Sequence, residues 1–211
     1  MRLYGYFRST SSYRVRIALA LKGISCEQWP IHLVRGGGEQ FSPAYLALNP
    51  TGRVPTLVLD DGTVLIQSPA ILEYLDEAFP RPPLLPASLE GRAQVRAVAA
   101  IIGCDIHPLN NVSPLNVLRR ELGHTEEDVS AWIARWIHAG FRAVEQWIGA
   151  EGYCFGPEPG LADIYLIPQV FSARRFNVPL DAYPRILRVD ALAAEHPAFR
   201  TAHPAHQADA E

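Results

Sequence analysis

Four prolines fall within the seven residues Pro80-Arg81-Pro82-Pro83-Leu84-Leu85-Pro86. A proline ring fixes φ and removes a backbone donor, so neither a helix interior nor a central strand continues through such a run. The chain is thereby divided into a first domain over 1–80, a linker over 81–88 and a second domain over 89–211. Before the linker, strand-like and helix-like stretches alternate; after it, every periodic stretch reads helical. At 211 residues, 48% of them hydrophobic, the chain has apolar material for two modest cores.

Residues 3–7 read as a strand and 13–22 as a helix stopped by Gly23. The strand expected over 27–33 contains Pro30, which cannot donate to a central ladder and so belongs at a sheet edge. Ser42-Pro43 opens a short helix ending near Asn49-Pro50. Strands over 56–59 and 64–66 flank Asp60-Asp61-Gly62, a turn short enough for an antiparallel hairpin. Ser68-Pro69 supplies an N-cap and a first-turn proline for a helix running to about Phe79. The order β-α-β-α-β-β-α is the thioredoxin-like α/β layout with a mixed four-stranded sheet. In the all-α second domain the best segment is 126–149, where Val129, Ile133, Trp136, Ile137, Gly140, Phe141, Val144, Trp147 and Ile148 recur at helical spacing. Further helices are expected over 89–107, 161–173 and 184–195.

A net charge of −3 with no basic cluster leaves no electrostatic footprint for nucleic acid. No apolar run reaches the roughly 20 residues a membrane helix needs, and the start lacks a signal-peptide pattern, so a cytoplasmic protein with no membrane partner is expected. Cys26, Cys104 and Cys154 are odd in number and scattered, fit neither a disulfide framework nor a metal site, and read as buried thiols. Lys22 is the single lysine among 19 basic residues. The other positive charges are therefore planar guanidinium groups, which favour carboxylates wherever one lies in a cleft.

A thioredoxin-like layout invites a search for Cys-x-x-Cys after the first strand. This chain has Arg8-Ser9-Thr10-Ser11-Ser12 there, which excludes disulfide exchange by the protein itself. Four hydroxyl residues at a helix entry make a donor-rich nest for an anion such as a thiolate, although an ordinary serine N-cap accounts for the same residues. Val54-Pro55 stands at the mouth of the third strand, where a cis bond would leave the valine's backbone groups free to pair with an extended peptide. Gln67-Ser68-Pro69 places a second helix N-terminus one strand away, suited to a carboxylate. Together the three loops could hold a small peptide with a thiol at one end and a carboxylate at the other.

These segments, with Ala47-Leu48-Asn49-Pro50, Asp105-Ile106-His107-Pro108-Leu109-Asn110-Asn111 and Val170-Phe171-Ser172-Ala173-Arg174-Arg175-Phe176, resemble the zeta class of glutathione transferases, which includes maleylacetoacetate and maleylpyruvate isomerases. The resemblance covers nearly the whole chain. It implies the glutathione transferase fold, glutathione as cofactor, a small dicarboxylate substrate and a homodimer. It also implies cis–trans isomerisation of a maleyl-type double bond conjugated to a ketone, converting maleylacetoacetate to fumarylacetoacetate in tyrosine and phenylalanine catabolism. Ser9 matches the activating serine, which would donate to the glutathione sulfur and lower its pKa from about 8.5 toward neutrality. Arg8 and Arg175 match arginines that receive the substrate's carboxylates, and Arg174 is the solvated neighbour. Glutathione contacts carried over by position are Ser9, Thr10, Ser11, Gln40, Val54, Gln67 and Ser68, with His107 and Asn111 from the helical half.

Three departures matter. Ser9-Thr10-Ser11 stands where the class often has serine-serine-cysteine, so the chain lacks an active-site thiol. Val112-Ser113-Pro114 stands where maleylpyruvate isomerases tend to carry arginine, which favours maleylacetoacetate. Gly160 replaces the hydroxyl residue that usually caps the helix led by Ala162 and Asp163, at a cost of a few tenths of a kcal/mol. Maleylpyruvate isomerisation, general transfer of glutathione to small electrophiles, and a non-catalytic binding role are the alternatives.

Overall fold

The computed structural model describes residues 1–211 and divides into two compact units, Met1–Pro83 with Glu195–Glu211, and Leu84–Ala194. The first unit holds β1 (Arg2–Gly5), α1 (Thr10–Leu21), β2 (Glu27–Pro30), α2 (Pro43–Leu48), β3 (Thr56–Val58), β4 (Val64–Ile66) and α3 (Ser68–Ala78). The strands form one sheet in the order β2-β1-β3-β4, with β1 and β2 parallel and the other pairs antiparallel. This is the thioredoxin-like sheet, and β2 with its Pro30 lies on the edge, where a missing donor costs no ladder bond. Leu3, Leu57 and Val58 from the sheet are buried, as are Val15, Ile17, Ala18 and Leu19 of α1 and Ile71, Leu72 and Leu75 of α3.

The first strand ends at Gly5, two residues short of expectation, and α1 begins at Thr10, three residues early. Both shifts have one cause. The Ser9 side chain accepts the Ser12 N–H at 3.2 Å and so caps the helix ahead of the hydroxyl run, drawing those residues into its first turn. Gln67, not Ser68, is the N-cap of α3.

The sole lysine sits at the end of α1, with no exposed side-chain surface. Its ammonium pairs with Asp76 at 2.9 Å and donates to the carbonyls of Phe79 at 2.6 Å and Pro82 at 2.9 Å. Three tetrahedrally disposed donors thus meet three acceptors, a pattern a planar guanidinium does not reproduce. From their place after the linker, residues 195–211 are expected to belong with the helical half. These residues, including α9 (Pro197–Ala202), group with the first unit instead, and α9 packs on α1.

The second unit is helical: α4 (Leu89–Ala100), α5 (Val112–Asn116), α6 (Glu126–Trp147), α7 (Leu161–Arg175) and α8 (Pro184–Glu195), the last ending at the unit boundary. The α6 stripe of Val129, Ile133, Ile137, Gly140, Phe141 and Val144 is buried, whereas Trp147 is exposed. The helix expected over 89–107 is regular only to Ala100. It widens into a π-helical stretch, Ile101–Ile106, and closes in a tight turn, His107–Asn110, at Pro108. Gly140 of α6 lets this stretch approach, since a Cβ there would stand 2.2 Å from Ile106 Cδ1.

Gly160 has the same kind of reason. The Leu161 N–H donates to the Leu84 carbonyl at 2.8 Å, and a Cβ on Gly160 would lie 2.9 Å from that oxygen. The capping bond comes from the other direction, as buried Asp163 accepts the N–H groups of Gly160 at 2.8 Å and Cys154 at 2.9 Å. Burial pushes the Asp163 carboxyl pKa up despite these bonds. Glycine is therefore the residue this site requires, and the cost inferred from the missing hydroxyl does not apply. Gly160→Ser is expected to destabilise by about 1–3 kcal/mol in urea unfolding; a stabilised variant would show that the missing hydroxyl is the dominant effect.

All three cysteines are free thiols, but only Cys154 is buried; Cys26 is half-buried and Cys104 exposed. No helix is long and apolar enough to cross a membrane.

Candidate active site

Strand register gathers the first unit's site residues. Gly5 at the end of β1 pairs with Pro30 at the end of β2, Tyr4 pairs with Thr56 at the start of β3, and Thr56 pairs with Ile66 at the end of β4. The segments carrying Arg8 and Ser9, Gln40, Val54, and Gln67 with Ser68 therefore all leave the same end of the sheet. Two helices, α1 and α3, begin there, each presenting N–H groups that no intrahelical carbonyl satisfies.

At α1, Ser9 is the N-cap. Its Oγ accepts the Ser12 N–H, which uses a lone pair and leaves the hydroxyl hydrogen free to donate. Its backbone closes the turn, with Ser9 N–H on the Tyr6 carbonyl at 3.0 Å and Tyr13 N–H on the Ser9 carbonyl at 2.9 Å. Thr10 is buried and Ser11 half-buried beside it. The Arg8 guanidinium donates twice to the Tyr6 hydroxyl, from Nη2 at 2.7 Å and Nε at 3.2 Å, and lies over the Phe7 ring at 5.1 Å. Its direction is thus held while its remaining donors stay available.

The Val54-Pro55 bond is cis. The turn before it is braced by two side chains outside the expected site residues: the Tyr45 hydroxyl and Asn49 Nδ2 both donate to the Arg53 carbonyl, at 2.7 and 2.8 Å. Both also meet Thr56 Oγ1 at 2.9 Å. Burial raises the Tyr45 phenol's pKa, which keeps it a neutral donor. The sequence signal for this brace is the Asn49-Pro50 pair, which marks a helix end and belongs to one of the segments that carry the family resemblance. At α3, exposed Gln67 adopts φ 69°, a left-handed conformation costly for a residue with a Cβ, and Ser68 is buried behind it.

Gln40 is buried. Its Nε2 donates to the Leu33 carbonyl at 3.3 Å, while its Oε1 has no hydrogen-bond partner. A buried carbonyl oxygen without a donor fits a peptide ligand that brings an N–H group. The donor set at this end of the sheet therefore suits glutathione: hydroxyl and helix N–H groups for a thiolate, a second helix N-terminus for a carboxylate, and an amide oxygen for a peptide nitrogen.

In the second unit, half-buried His107 opens the tight turn after the π-helical stretch. Asn111 caps α5 through its Oδ1, which accepts the Val112 N–H at 2.8 Å. Its neighbour Asn110, which the sequence did not single out, is buried with neither amide atom hydrogen-bonded. Arg175 ends α7 with its guanidinium 4.6 Å from the Phe176 ring centre, whereas Arg174 pairs with Asp190.

The glutathione S-transferase N-terminal domain family matches residues 8–78. The chain is 62% identical over 209 residues to a maleylacetoacetate isomerase of Pseudomonas aeruginosa, covering 99% of this chain and 98% of that one. It is 51% identical over 214 residues to a maleylpyruvate isomerase of a Ralstonia species, with 99% of each covered. Among solved structures, a holo maleylpyruvate isomerase, a bacterial zeta-class glutathione S-transferase, matches with a TM-score of 0.96 at 50% identity over 100% of both chains. A maleylacetoacetate isomerase from Anaeromyxobacter dehalogenans with glutathione bound in its active site matches with a TM-score of 0.89 at 42% identity, covering 100% of this chain and 97% of that one.

Proposed function

The chain belongs to the zeta class of the glutathione S-transferase family, and from that membership we propose that it is a glutathione-dependent cis–trans isomerase whose preferred substrate is maleylacetoacetate. The observation that carries the reading is Ser9, whose Oγ caps α1 with a lone pair and keeps its hydrogen for a sulfur at the helix N-terminus.

Bound glutathione supplies a thiolate that adds reversibly to the conjugated double bond, so that rotation about the resulting single bond and elimination return the thiol with the trans product. Ser9 donates its hydroxyl hydrogen to the sulfur, and the positive end of α1's dipole adds favourable potential, so the thiol ionises nearer neutral pH. Thr10 and Ser11 belong to the same nest. Gln40 and Val54 take the peptide backbone, and Gln67 and Ser68 with α3's N-terminus take a glutathione carboxylate. His107 and Asn111 are assigned to glutathione, and Arg175 to a substrate carboxylate, on the resemblance of their segments.

Arg8, adjacent in sequence to Ser9, is assigned to a substrate carboxylate and to the negative charge that grows on the ketone oxygen. Arg8→Leu is expected to raise the KM for the diacid about tenfold, roughly 1.4 kcal/mol of binding, with the KM for glutathione within a factor of two. Equal effects on both constants would place Arg8 in glutathione binding instead.

Preference for maleylacetoacetate rests on Val112-Ser113-Pro114, which offers no cation after Asn111. The test is kcat/KM for maleylacetoacetate and maleylpyruvate in one assay. A preference of about tenfold for the first is expected, the loss of one charged hydrogen bond to the second; equal or reversed values would overturn this choice. The proposal includes a cytoplasmic homodimer serving aromatic amino-acid breakdown. Sedimentation at the single-chain mass of 23.3 kDa would contradict the dimer.

A further inference from the structure

The turn that carries Arg8 and Ser9 is held by side chains rather than by the sheet. Once β1 ends at Gly5, the backbone groups of Tyr6 and Phe7 need partners, and each finds one away from the strands. The Tyr6 N–H donates to Ser12 Oγ at 3.4 Å. The carbonyls of Tyr6 and Phe7 accept from the Arg16 guanidinium at 3.4 and 3.0 Å. The Phe7 N–H donates to Asp209 Oδ2 at 3.0 Å, across 202 positions of sequence.

The last residues of the chain thus reach the turn directly, and Arg16 reinforces the link. Its Nε donates to the Ala202 carbonyl of α9 at 3.0 Å, so one buried guanidinium joins the turn to the helix that starts the tail. Desolvation brings the Arg16 pKa down to about 10, with Asp209 opposing the shift, so the group stays cationic at neutral pH. Glu211 lies against the same region: its carboxylate is 2.9 Å from Arg35 and 3.2 Å from His32 Nε2. The His32 ring meets Tyr6 edge-on at 5.0 Å, and the Tyr6 hydroxyl in turn holds Arg8.

We propose that Asp209 is a positioning residue for the isomerase: by accepting the Phe7 N–H beside Arg16 it fixes the Tyr6–Ser9 turn, and through it the direction of the Ser9 hydroxyl and the Arg8 guanidinium. Side chains aimed at a reacting centre lose effect when displaced by a fraction of an ångström, so a loosened turn lowers turnover before it lowers glutathione affinity. The glutathione groups assigned to α3 and to Gln40 do not depend on this turn.

The inference rests on the Ser9 reading, and the experiment separates the two. Ser9→Ala, Asp209→Ala and Asp209→Asn are compared for kcat, for the KM of glutathione and for the pH profile of kcat/KM. Asp209→Ala is expected to lower kcat about tenfold with a higher apparent thiol pKa and a glutathione KM within twofold. Asp209→Asn keeps an acceptor for the Phe7 N–H and is expected to recover most of the turnover. An unchanged Ser9→Ala enzyme would overturn the site reading. An impaired Ser9→Ala with an Asp209→Ala of wild-type kcat and pH profile would overturn the positioning role alone, and so would equal losses in the two Asp209 variants. The wild-type chain gives a reading that needs no variant to fold: the Phe7 amide is expected to exchange with deuterium as slowly as the interior amides of α1, and exchange at exposed-loop rates would overturn the proposal.

Discussion

Ser9→Ala is expected to lower the rate of isomerisation about 100-fold, near 2.7 kcal/mol of transition-state stabilisation, and to move the rise of kcat/KM with pH toward the thiol's free pKa of about 8.5. The direction follows from linkage. A donor to the sulfur stabilises the thiolate and depresses its pKa, so loss of the donor raises it, and the deficit is largest near neutral pH and shrinks as pH rises past the free value. The same change removes the N-cap of α1, whose Oγ accepts the Ser12 N–H. That effect alone is about 1 kcal/mol of stability and does not depend on glutathione. Ser9→Thr keeps a hydroxyl that can both accept and donate, and recovery in that variant with failure in alanine would assign the rate effect to the donated hydrogen. Comparable loss in both would trace it to steric change.

Lys22→Met is the substitution expected to destabilise the fold most, by about 3–5 kcal/mol in urea or thermal unfolding. Methionine has the length to fill the space but none of the donors. It would leave the Asp76 carboxylate without its cation and the Phe79 and Pro82 carbonyls without a partner. Lys22→Arg is expected to lose less, about 1–2 kcal/mol, since the charge remains but the planar fork satisfies fewer of the three acceptors. If the methionine variant unfolds within 1 kcal/mol of the wild type, the three bonds are dispensable and the linker is anchored elsewhere. Kinetic constants of the folded fraction are expected to stay unchanged, because these bonds lie at the far end of α1 from Ser9.

Much of this arrangement is legible in the sequence because local chemistry and tertiary structure agree there. Pro30 announces an edge strand, Asp60-Asp61-Gly62 a hairpin, and the spaced apolar residues of α6 a helix with one buried face. The helix entry at Ser9 is legible for the same reason, since a serine N-cap is set by local chemistry, whereas the burial of Thr10 and Ser12 within the hydroxyl run is not. What the sequence hid depends on partners distant along the chain. Nothing near Phe7 indicates that its N–H is taken by Asp209, and nothing near Gly160 indicates that the Leu84 carbonyl leaves no room for a side chain. The π-helical stretch before His107 lies within an apolar run that reads as ordinary helix, and the close approach of Ile106 to Gly140 is likewise tertiary. Tyr45 and Asn49 were legible as residues but not as a brace, since their shared target, the Arg53 carbonyl, is a backbone atom with no signature of its own.

In the proposed isomerisation the thiolate attacks and then leaves, so glutathione is returned at every turnover. Following free thiol and trans product together, with glutathione supplied at far below the substrate concentration, measures this directly. Many product molecules per glutathione and full recovery of the free thiol at the end are expected. Thiol loss in step with substrate consumption, with an adduct in place of the trans isomer, would contradict it.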